Sequence, residues 1–465
     1  MTQARRTTRT SRTPGPARPA HIVVVGGGCA GLAAAHRLQR TLRRPLGRGD
    51  VRITVVSPEP YMTYPPFLPE AAAGSLSPRH VVVPLRRVLA RCRFLPGEVT
   101  AVDTAARTLS VRNAAGEEAG GEPLRLDYDE LVLAPGSPTR PPDLPGLDRH
   151  ALGLRTVREA IGLRNHVLEQ LDIAASTRDS AVRDAALTFL FVGGGHAGVG
   201  ALAELEDMGR FACRYYPTIR PDEQRWILVE PSDRILSEAS ERMSQDTLHE
   251  LRGRNIDVRL RTRLESCADR TAVLSDGTRH PTRTLVWTAD ARPSPLLAAC
   301  GLPLDETGRV RCTPALRVED TEHVWAAGDA AAVPDLTAPD GTPCAPLAQH
   351  ALRQGRRLAD NLAAALRGRP PADYRHRAAG AVAALGLHQG VARLHGARLT
   401  GTPAWLAHRV HHLGRLPTAN RKARLLAEWT LAGLFKREIV SLGSLEHPRA
   451  EFELAAGGGS PPETP

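Results

Sequence analysis

The chain has 465 residues, more than one domain usually holds, and an apolar fraction of 42%, which is typical of a globular protein. Its net charge is +11, but no nucleic-acid-binding motif accompanies that charge, so we expect no nucleic-acid partner. No apolar run approaches the ~20 residues that span a bilayer. We also expect no secretory signal. The seven cysteines form no Cys-x-x-Cys pair, so we expect no metal site.

The first predicted segments are a basic tail and a strand. Residues 1–19 combine arginines with Thr, Ser and Pro and contain no acid, so we predict a disordered tail. The β-branched run at 22–25 predicts a buried parallel strand. It leads into a G-x-G-x-x-G pattern made by Gly26, Gly28 and Gly31. These glycines allow a tight turn, close approach of a pyrophosphate and helix–strand packing, and the helix that follows offers free N–H groups to phosphates.

Three later segments complete the prediction of an FAD site. The strand "VRITVVSPEP" ends in Pro58 and Glu59, where a dinucleotide's ribose needs an acceptor; a solvated turn carboxylate is the alternative. "ELVLAPGS" places Gly136 after a third strand. "HVWAAGDAAAVP" leads to Gly328 and Asp329. In flavoproteins with this layout, such an aspartate reaches the ribityl or pyrophosphate part of FAD.

The same design recurs about 170 residues later, in "FVGGGHAGVGALAELEDMG". The repeat consists of Gly193, Gly195 and Gly198, with His196 among them. The next strand, "RWILVE", ends at Glu230. A carboxylate there accepts from the adenosine ribose 2′-hydroxyl and repels a 2′-phosphate, so we expect NADH rather than NADPH. Arg234 lies close by and leaves some use of NADPH open.

In the order of its segments, the chain resembles the two-dinucleotide-binding flavoproteins, and among them the type II NADH:quinone oxidoreductases. The resemblance covers residues 20–450 and rests on "YMTYPPFLPEAAAG", "LVLAPGS", "LPGL", "GLRTVREAIGLRNHV", "APLAQHALRQG" and "GTPAWLAHRV". It implies that the first loop holds FAD, that the second admits NADH, and that electrons pass from the flavin to a membrane quinone without proton pumping. It also places Pro65 beside the flavin, and Ala348 and Gln349 near flavin and quinone.

The resemblance implies an α/β fold with two Rossmann-like dinucleotide-binding domains. The FAD-binding domain is expected at 20–148 and 301–365, interrupted by an NADH-binding domain at 149–300. A C-terminal α+β region with amphipathic helices is expected at 366–450, followed by a disordered tail at 451–465.

Two departures from the family pattern fall in the NADH-binding half. Gly200 stands where the family usually has a Glu directed toward nicotinamide and flavin, and Asp290 stands where it usually has a Gly. In one interpretation, Asp290 replaces the lost carboxylate and favours cationic, oxidised nicotinamide, by at most ~4 kcal/mol at a separation of ~4 Å. In the other, its side chain intrudes on the cofactor and impairs NADH oxidation. Both residues are therefore candidate catalytic residues.

A third departure lies in the family's AQ-x-x-x-QQ pattern, which here reads "AQHALRQ". Arg353 replaces the first glutamine of the final pair, and Gln354 keeps the second. An arginine would donate to a quinone carbonyl and stabilise its reduced anion; a solvated helix arginine is the alternative. Gln349, Arg353 and Gln354 complete the candidate catalytic set.

Residues 404–440 carry apolar and basic side chains at helical spacing. The apolar set is Trp405, Leu406, Val410, Leu413, Leu425, Leu426, Trp429 and Leu434, and the basic set is Arg409, Arg415, Arg421, Lys422, Arg424, Lys436 and Arg437. Such helices lie in membrane interfaces, where each base contributes about 1 kcal/mol on an anionic leaflet. We expect peripheral attachment to the inner leaflet, on the cytoplasmic side of the cell membrane, and a homodimer. Helices packed on the protein's own body or in a dimer are the alternative.

Two other functions fit parts of the sequence. A sulfide:quinone oxidoreductase shares the flavin and quinone parts but needs two cysteines flanking the flavin. Cys344 is placed near it, but no partner is evident, and the role of Cys29 stays open. A flavin- and nucleotide-binding regulator would bind FAD, bind NADH weakly and reduce no quinone.

Overall fold

A computed structural model describes residues 18–113, 123–289, 292–338, 341–376, 380–394, 397–435 and 439–441. The candidate residue Asp290, the basic tail up to residue 17 and the tail 451–465 lie outside the described residues.

The strands are numbered in chain order. They are β1 (Ala20–Val25), β2 (Val51–Ser57), β3 (Tyr61–Thr63), β4 (Val82–Pro84), β5 (Arg93–Pro96), β6 (Glu98–Asp103), β7 (Thr108–Arg112), β8 (Leu124–Asp127), β9 (Glu130–Leu133), β10 (Ala151–Leu152), β11 (Thr188–Val192), β12 (Arg225–Glu230), β13 (Asp257–Leu260), β14 (Leu264–Ser266), β15 (Thr271–Leu274), β16 (Arg279–Pro281), β17 (Thr284–Trp287), β18 (Val310–Arg311), β19 (Val324–Ala326), β20 (Ala331–Ala332), β21 (Gly380–Ala384), β22 (Gly390–Leu394) and β23 (Ala397–Thr400).

The helices are numbered in the same way. They are α1 (Cys29–Thr41), α2 (Arg43–Arg48), α3 (Leu68–Ala72), α4 (Pro78–Val81), α5 (Leu85–Val88), α6 (Leu147–His150), α7 (Val157–Ser176), α8 (Ser180–Ala186), α9 (His196–Ala212), α10 (Glu241–Gly253), α11 (Pro295–Ala299), α12 (Ala348–Ala365), α13 (Gly401–Arg415) and α14 (Ala419–Leu434). Short 3₁₀ turns lie at Pro65–Phe67, Cys213–Tyr215, Pro221–Glu223, Ala268–Arg270 and Gly328–Ala330.

Two five-stranded parallel sheets form the centre of the molecule. The first has the order β19-β9-β1-β2-β5 and the second the order β10-β17-β11-β12-β13. Their central strands are buried along their apolar lengths, as is typical of sheets that are covered on both faces. The expected α/β fold with two Rossmann-like sheets is confirmed.

Both glycine loops lie at the point of their sheet where the order of the strands reverses. From β1 the chain proceeds to β2 on one side and later returns as β9 on the other side. From β11 it proceeds to β12 and returns as β17 on the other side. The crevice at the carboxyl ends of strands at such a switch point is where open α/β sheets bind their ligands.

The packing of α1 against α12 joins the first loop to the later part of the chain. A methyl group on Gly355 of α12 would lie 2.3 Å from the carbonyl oxygen of Ala30 in α1, so only glycine permits this approach. The helix that carries Gln349 and Arg353 is therefore held directly against the helix that begins at the first loop.

The C-terminal part consists of a three-stranded sheet followed by a pair of helices. Strands β21, β22 and β23 form an antiparallel sheet, and α13 packs against it. Helix α3 lies between α7 and α9. Within the described ranges, no helix combines the length and the apolar character that crossing a bilayer requires.

Candidate nucleotide and quinone sites

The first loop is shaped to hold a pyrophosphate. A methyl group on Gly26 would lie 2.1 Å from the carbonyl oxygen of Ala134, and one on Gly31 would lie 1.9 Å from the carbonyl oxygen of Gly26. A methyl on Gly28, by contrast, would meet no atom within 4 Å. Gly28 is also the N-cap of α1, and no side chain caps that end in the described structure. Open space therefore faces free N–H groups, which fits a bound diphosphate.

The second loop repeats this construction. A methyl group on Gly193 would lie 2.8 Å from the hydroxyl of Thr288, and one on Gly198 would lie 1.9 Å from the carbonyl oxygen of Gly193. At Gly195 such a methyl group would meet nothing within 4 Å, and Gly195 begins α9 without a side-chain cap in the described structure. The residues present thus fit two dinucleotides, one on each sheet.

The residues expected around the first dinucleotide surround the same crevice. Pro58 and Pro65 are exposed, and Gly136 is half-buried with open space at its α-carbon. The carboxylate of Glu59 is 44% exposed and 3.7 Å from the guanidinium of Arg158, so it remains accessible to a ribose. Because β2 and β9 both flank β1, the loops that carry Glu59 and Gly136 lie at the same sheet edge as the first glycine loop, although they are far apart in sequence.

Two guanidinium groups lie near Asp329 that no motif in the sequence indicates. Burial raises the pKa of the Asp329 carboxyl, and the nearby guanidinium groups of Arg155 and Arg309 oppose that rise. Arg155 also donates to the backbone carbonyl of Ser137. Arg155 follows "GL" in the crossover segment, and nothing in that stretch of sequence predicts that it lies at the flavin crevice.

Glu230 holds the second loop and its own turn together. One carboxylate oxygen accepts from the backbone N–H of Gly194 at 2.6 Å, and the other from that of Ser232 at 2.8 Å. Arg234 is engaged elsewhere, because its guanidinium donates to the carbonyls of Ser237 and Ala239. A cavity of about 370 Å³ opens beside this turn, and its lining includes Asp233, Arg234, Glu241, Ser244, Gln245, Leu248 and Leu260.

His196 and Gly200 lie on the first turns of α9. The His196 ring is 3.5 Å from the carboxylate of Glu238, which lowers the pKa of that carboxyl. Gly200 is buried, and a methyl group there would lie 3.2 Å from Cγ of Pro69. The space that a larger side chain at position 200 would need is therefore occupied by α3.

The expected quinone-side motif divides into an accessible and a buried part. Ala348, Gln349 and Arg353 are half-buried near the start of α12, and Arg353 donates to the Gln349 carbonyl at 3.3 Å. Gln354 is only 2% exposed, and its side-chain oxygen accepts from the backbone N–H of Gly328 at 2.8 Å. Gln354 thus supports the turn that presents Asp329.

Further bases accompany Arg353 that the sequence motif did not indicate. Nδ1 of His350 lies 3.0 Å from the hydroxyl of Tyr374, and the ring of His350 is 5.6 Å from that of His376. Burial, together with Arg415 and Arg353, lowers the pKa of His411 to about 4. Because these residues come from three separate segments, spacing along the chain does not indicate the grouping.

One expectation for the C-terminal helices is wrong. Arg409, assigned to the basic, membrane-facing set, is 3% exposed. Its guanidinium carbon lies 3.7 Å from the ring centre of Trp405 and 4.8 Å from that of Trp429. The two tryptophans bind this cation by cation–π contact instead of forming an apolar outer face. Lys436 and Arg437 lie outside the described residues.

The rest of the apolar set is partly accessible. Leu406, Val410, Leu426 and Leu434 are between 49% and 74% exposed. Leu425 is fully buried and Leu413 packs against the core. The helix pair therefore has an inner face that contacts the body and an outer face with large exposed aliphatic side chains.

All seven cysteines are free thiols. Burial raises the pKa of the Cys29 thiol to about 12 and that of Cys344 to about 11, so both thiols are protonated at neutral pH. Among the described residues, no cluster of metal-ligating side chains is found.

Comparison with known proteins agrees with this architecture. Residues 20–355, more than half of the chain, match the model of the pyridine nucleotide-disulphide oxidoreductase family. A type II NADH:quinone oxidoreductase of Mycobacterium tuberculosis is 26% identical over 441 residues, covering 91% of this chain and 90% of that protein. A demethylphylloquinone reductase of Synechocystis is 29% identical over 421 residues, covering 89% and 96%.

Solved structures share the fold. The structure of NDH2 from Plasmodium falciparum in complex with NADH superposes with a TM-score of 0.81 at 17% identity, covering 91% of this chain and all of that one. A sulfide:quinone oxidoreductase of Aquifex aeolicus gives a TM-score of 0.66 at 16% identity, covering 90% and 96%. With two dinucleotide loops on two parallel sheets and a family model that matches most of its length, the chain belongs to the pyridine nucleotide-disulphide oxidoreductase family.

Proposed function

We propose that the chain is a type II NADH:quinone oxidoreductase, which oxidises NADH, reduces a membrane quinone and pumps no protons. The observation that carries this proposal is the pair of glycine loops, each with open space at a free helix N-terminus. One loop accommodates FAD and the other NADH. Bound FAD would supply the two-electron chemistry, accepting hydride from NADH and passing electrons to the quinone.

The chain's own residues bind and orient these groups. Gly28 and Gly195 would admit the two diphosphates, and Glu59 and Glu230 would accept from ribose hydroxyls. The guanidinium of Arg234 is held by two backbone carbonyls, and Glu230 supplies a carboxylate that would repel a 2′-phosphate, which supports a preference for NADH.

On the quinone side, Gln349 and Arg353 would donate to the quinone oxygens. Burial lowers the pKa of Arg353, but its guanidinium stays charged at neutral pH. A fixed cation stabilises the negative charge that develops on a quinone during reduction. Gln354 acts through Gly328 and is a positioning residue.

Membrane attachment through α13 and α14 is part of the proposal. The exposed aliphatic side chains on the outer face of these helices support contact with lipid, and flanking bases such as Arg424 support contact with an anionic leaflet. We assign this surface to the cytoplasmic side of the membrane, where NADH is available.

The first test is anaerobic mixing of the purified yellow protein with NADH, followed at the flavin absorbance band. Rapid bleaching, faster with NADH than with NADPH, followed by reoxidation with a short-chain quinone, is the expected result. A flavin that dithionite bleaches but NADH does not would contradict the proposal and would favour a non-catalytic nucleotide-binding protein.

A further inference from the structure

A buried row of titratable side chains connects the second loop's helix to the flavin-side segment. It begins at Glu70 in α3, which is 1% exposed. Neither carboxylate oxygen of Glu70 has a hydrogen-bond partner within the described residues. Helix α3 packs on α9, and a methyl group on Gly200 would lie 3.2 Å from Cγ of the preceding residue, Pro69, so Glu70 stands beside the helix that begins at the second loop.

The row continues along one face of α13. Nδ1 of His408 lies 3.6 Å from Oε1 of Glu70, so a small rotation would bring the two atoms within hydrogen-bond distance. The ring of His412 follows one helical turn later, with its centre 4.4 Å from that of His408. His408 is 5% exposed and His412 is half-buried.

The row ends at Tyr64. The Tyr64 hydroxyl is 2.9 Å from Nδ1 of His412, within hydrogen-bond distance. Tyr64 directly precedes Pro65 in the segment expected beside the flavin, and its hydroxyl lies near Cys29 at the start of α1. The ring of His412 is also 5.0 Å from that of His411, which belongs to the group of bases near Arg353.

Burial favours a proton on the carboxyl group of Glu70. Arg409 and His408 face it from α13, and Glu204 faces it from α9. Glu70 and Glu204 both lie near the guanidinium of Arg409, so two carboxyls compete for one cation. Burial and Glu204 raise the pKa of Glu70 to about 8, although Arg409 opposes this.

The histidines are neutral in the same range of pH. Burial, with Arg409, His411 and His196 nearby, lowers the pKa of His408 to about 3. Burial and the same kind of cationic surroundings, including Arg415, lower the pKa of His412 well below its ordinary value. A neutral imidazole has one donor and one acceptor nitrogen, so it can pass a proton on without holding it.

We propose that Glu70, His408, His412 and Tyr64 form a proton relay that serves quinone reduction. The inference rests on the proposed function. NADH gives up a hydride, which carries two electrons and one proton, and becomes NAD⁺. The quinone becomes a quinol by gaining two electrons and two protons, so one proton must come from water. That proton leaves the Glu70 O–H, passes the imidazoles and the Tyr64 hydroxyl, and ends in an O–H bond of the quinol. Solvent then reprotonates Glu70.

The first test needs no turnover. Infrared spectra of the resting protein are compared at about pH 6 and about pH 9, on either side of the raised pKa of Glu70. A protonated-carboxyl band that disappears at the higher pH is expected in the wild type and in Glu428→Gln, and it should be absent in Glu70→Gln. Glu428 is a matched control because it lies in α14, off the row, and accepts from the backbone N–H of Ser77. A band that persists in Glu70→Gln overturns the proposal.

The second test separates the half-reactions. Glu70→Gln and Tyr64→Phe are expected to lower quinone turnover at least about tenfold, the scale of lost proton transfer. Flavin bleaching by NADH should stay within about twofold of the wild-type rate, because hydride transfer needs no relayed proton. Glu70→Asp should restore part of the turnover. Tyr128→Phe is the control for Tyr64→Phe, since it also removes a buried hydroxyl.

The outcomes distinguish the two proposals. If NADH bleaches the flavin but Glu70→Gln and Tyr64→Phe keep wild-type quinone turnover and pH profile, the relay is wrong and the proposed function stands. If NADH fails to bleach the wild-type flavin, the proposed function is wrong and the relay loses its role. Flavin content and Tm show whether each variant has folded.

Discussion

The carboxylate of Glu230 accepts a hydrogen bond from the backbone N–H of Gly194, so one acid both terminates β12 and fixes the second loop. A ligand's ribose would meet this carboxylate in a position that is already fixed. The two roles can be separated by experiment, because an amide keeps the acceptor but loses the charge.

We expect Glu230→Gln to lower the ratio of kcat/KM for NADH over NADPH by at least about tenfold, because hydrogen bonds to a charged group contribute about 1.5–3 kcal/mol. Steady-state kinetics with both nucleotides measure this ratio. Glu265→Gln, at an exposed position of the same half, should leave it unchanged. An unchanged ratio in Glu230→Gln would show that another group selects the cofactor.

Gly200→Glu, which restores the family's usual residue, should not raise the rate of flavin bleaching by NADH. Its side chain would press on Pro69, and overpacking of this kind costs about 1–3 kcal/mol of stability. Gly200→Ala adds only a methyl group and is the matched control. Thermal unfolding and stopped-flow bleaching measure the two effects, with Asp290→Gly tested alone and in combination. A Gly200→Glu variant that bleaches faster with NADH and unfolds at the same temperature would contradict this interpretation.

Arg409→Ala should lower the free energy of unfolding by about 3 kcal/mol, because it removes a buried cation from between two tryptophans and from beside Glu70. Arg424→Ala, at an exposed position of α14, should change it by less than about 0.5 kcal/mol. Urea unfolding followed by tryptophan fluorescence compares them. Equal effects would mean that Arg409 is not held as described.

Stability should fall with rising pH because of Glu70. Its pKa is raised by folding, from its ordinary value of 4.5 to about 8, so the folded state binds more protons than the unfolded state between these values. The free energy of unfolding therefore decreases as pH rises through this window, by at most about 1.4 kcal/mol per pH unit.

The buried histidines make the free energy of unfolding rise with pH below their ordinary pKa, which is the opposite trend. Because they do so in the wild type and in Glu70→Gln alike, comparing the two proteins isolates the effect of Glu70. Urea titrations at several pH values should give a difference between the two proteins that narrows as pH falls. A difference independent of pH would mean that Glu70 is ionised throughout.

Leu406→Asp combined with Val410→Asp should weaken binding to anionic vesicles at least about tenfold, since each buried aliphatic side chain contributes about 1.5–3 kcal/mol. Leu124→Asp is the control, because it replaces an exposed leucine that lies in β8 and not in the C-terminal helices. Vesicle sedimentation measures the partition. Equal binding of both variants would place the membrane surface elsewhere.

Local patterns in the sequence were sufficient to predict the two loops. The turn at Gly26 has a positive φ of 100° and that at Gly193 one of 112°, and such turns select glycine by backbone geometry alone. Glu230 was predictable for the same reason, because it ends the strand that follows the loop helix. These features depend on residues close together in the chain.

The relay and the cationic group near Arg353 could not be predicted in this way. Tyr64 and His412 are 348 positions apart, and their contact depends on where α13 packs. Arg409 was misassigned because helical spacing groups residues by face but does not say which face is buried. A tryptophan face that attracts a guanidinium looks the same in sequence as one that attracts lipid.

The absence of a side chain at Gly355 determines how closely α12 packs on α1. Because α12 rests on the backbone of Ala30 without an intervening side chain, no rotamer can lengthen or shorten the gap between the first loop's helix and the helix that carries Gln349 and Arg353. Even a single methyl group at position 355 would push these two helices apart, and with them the residues that would bind FAD and those that would contact the quinone.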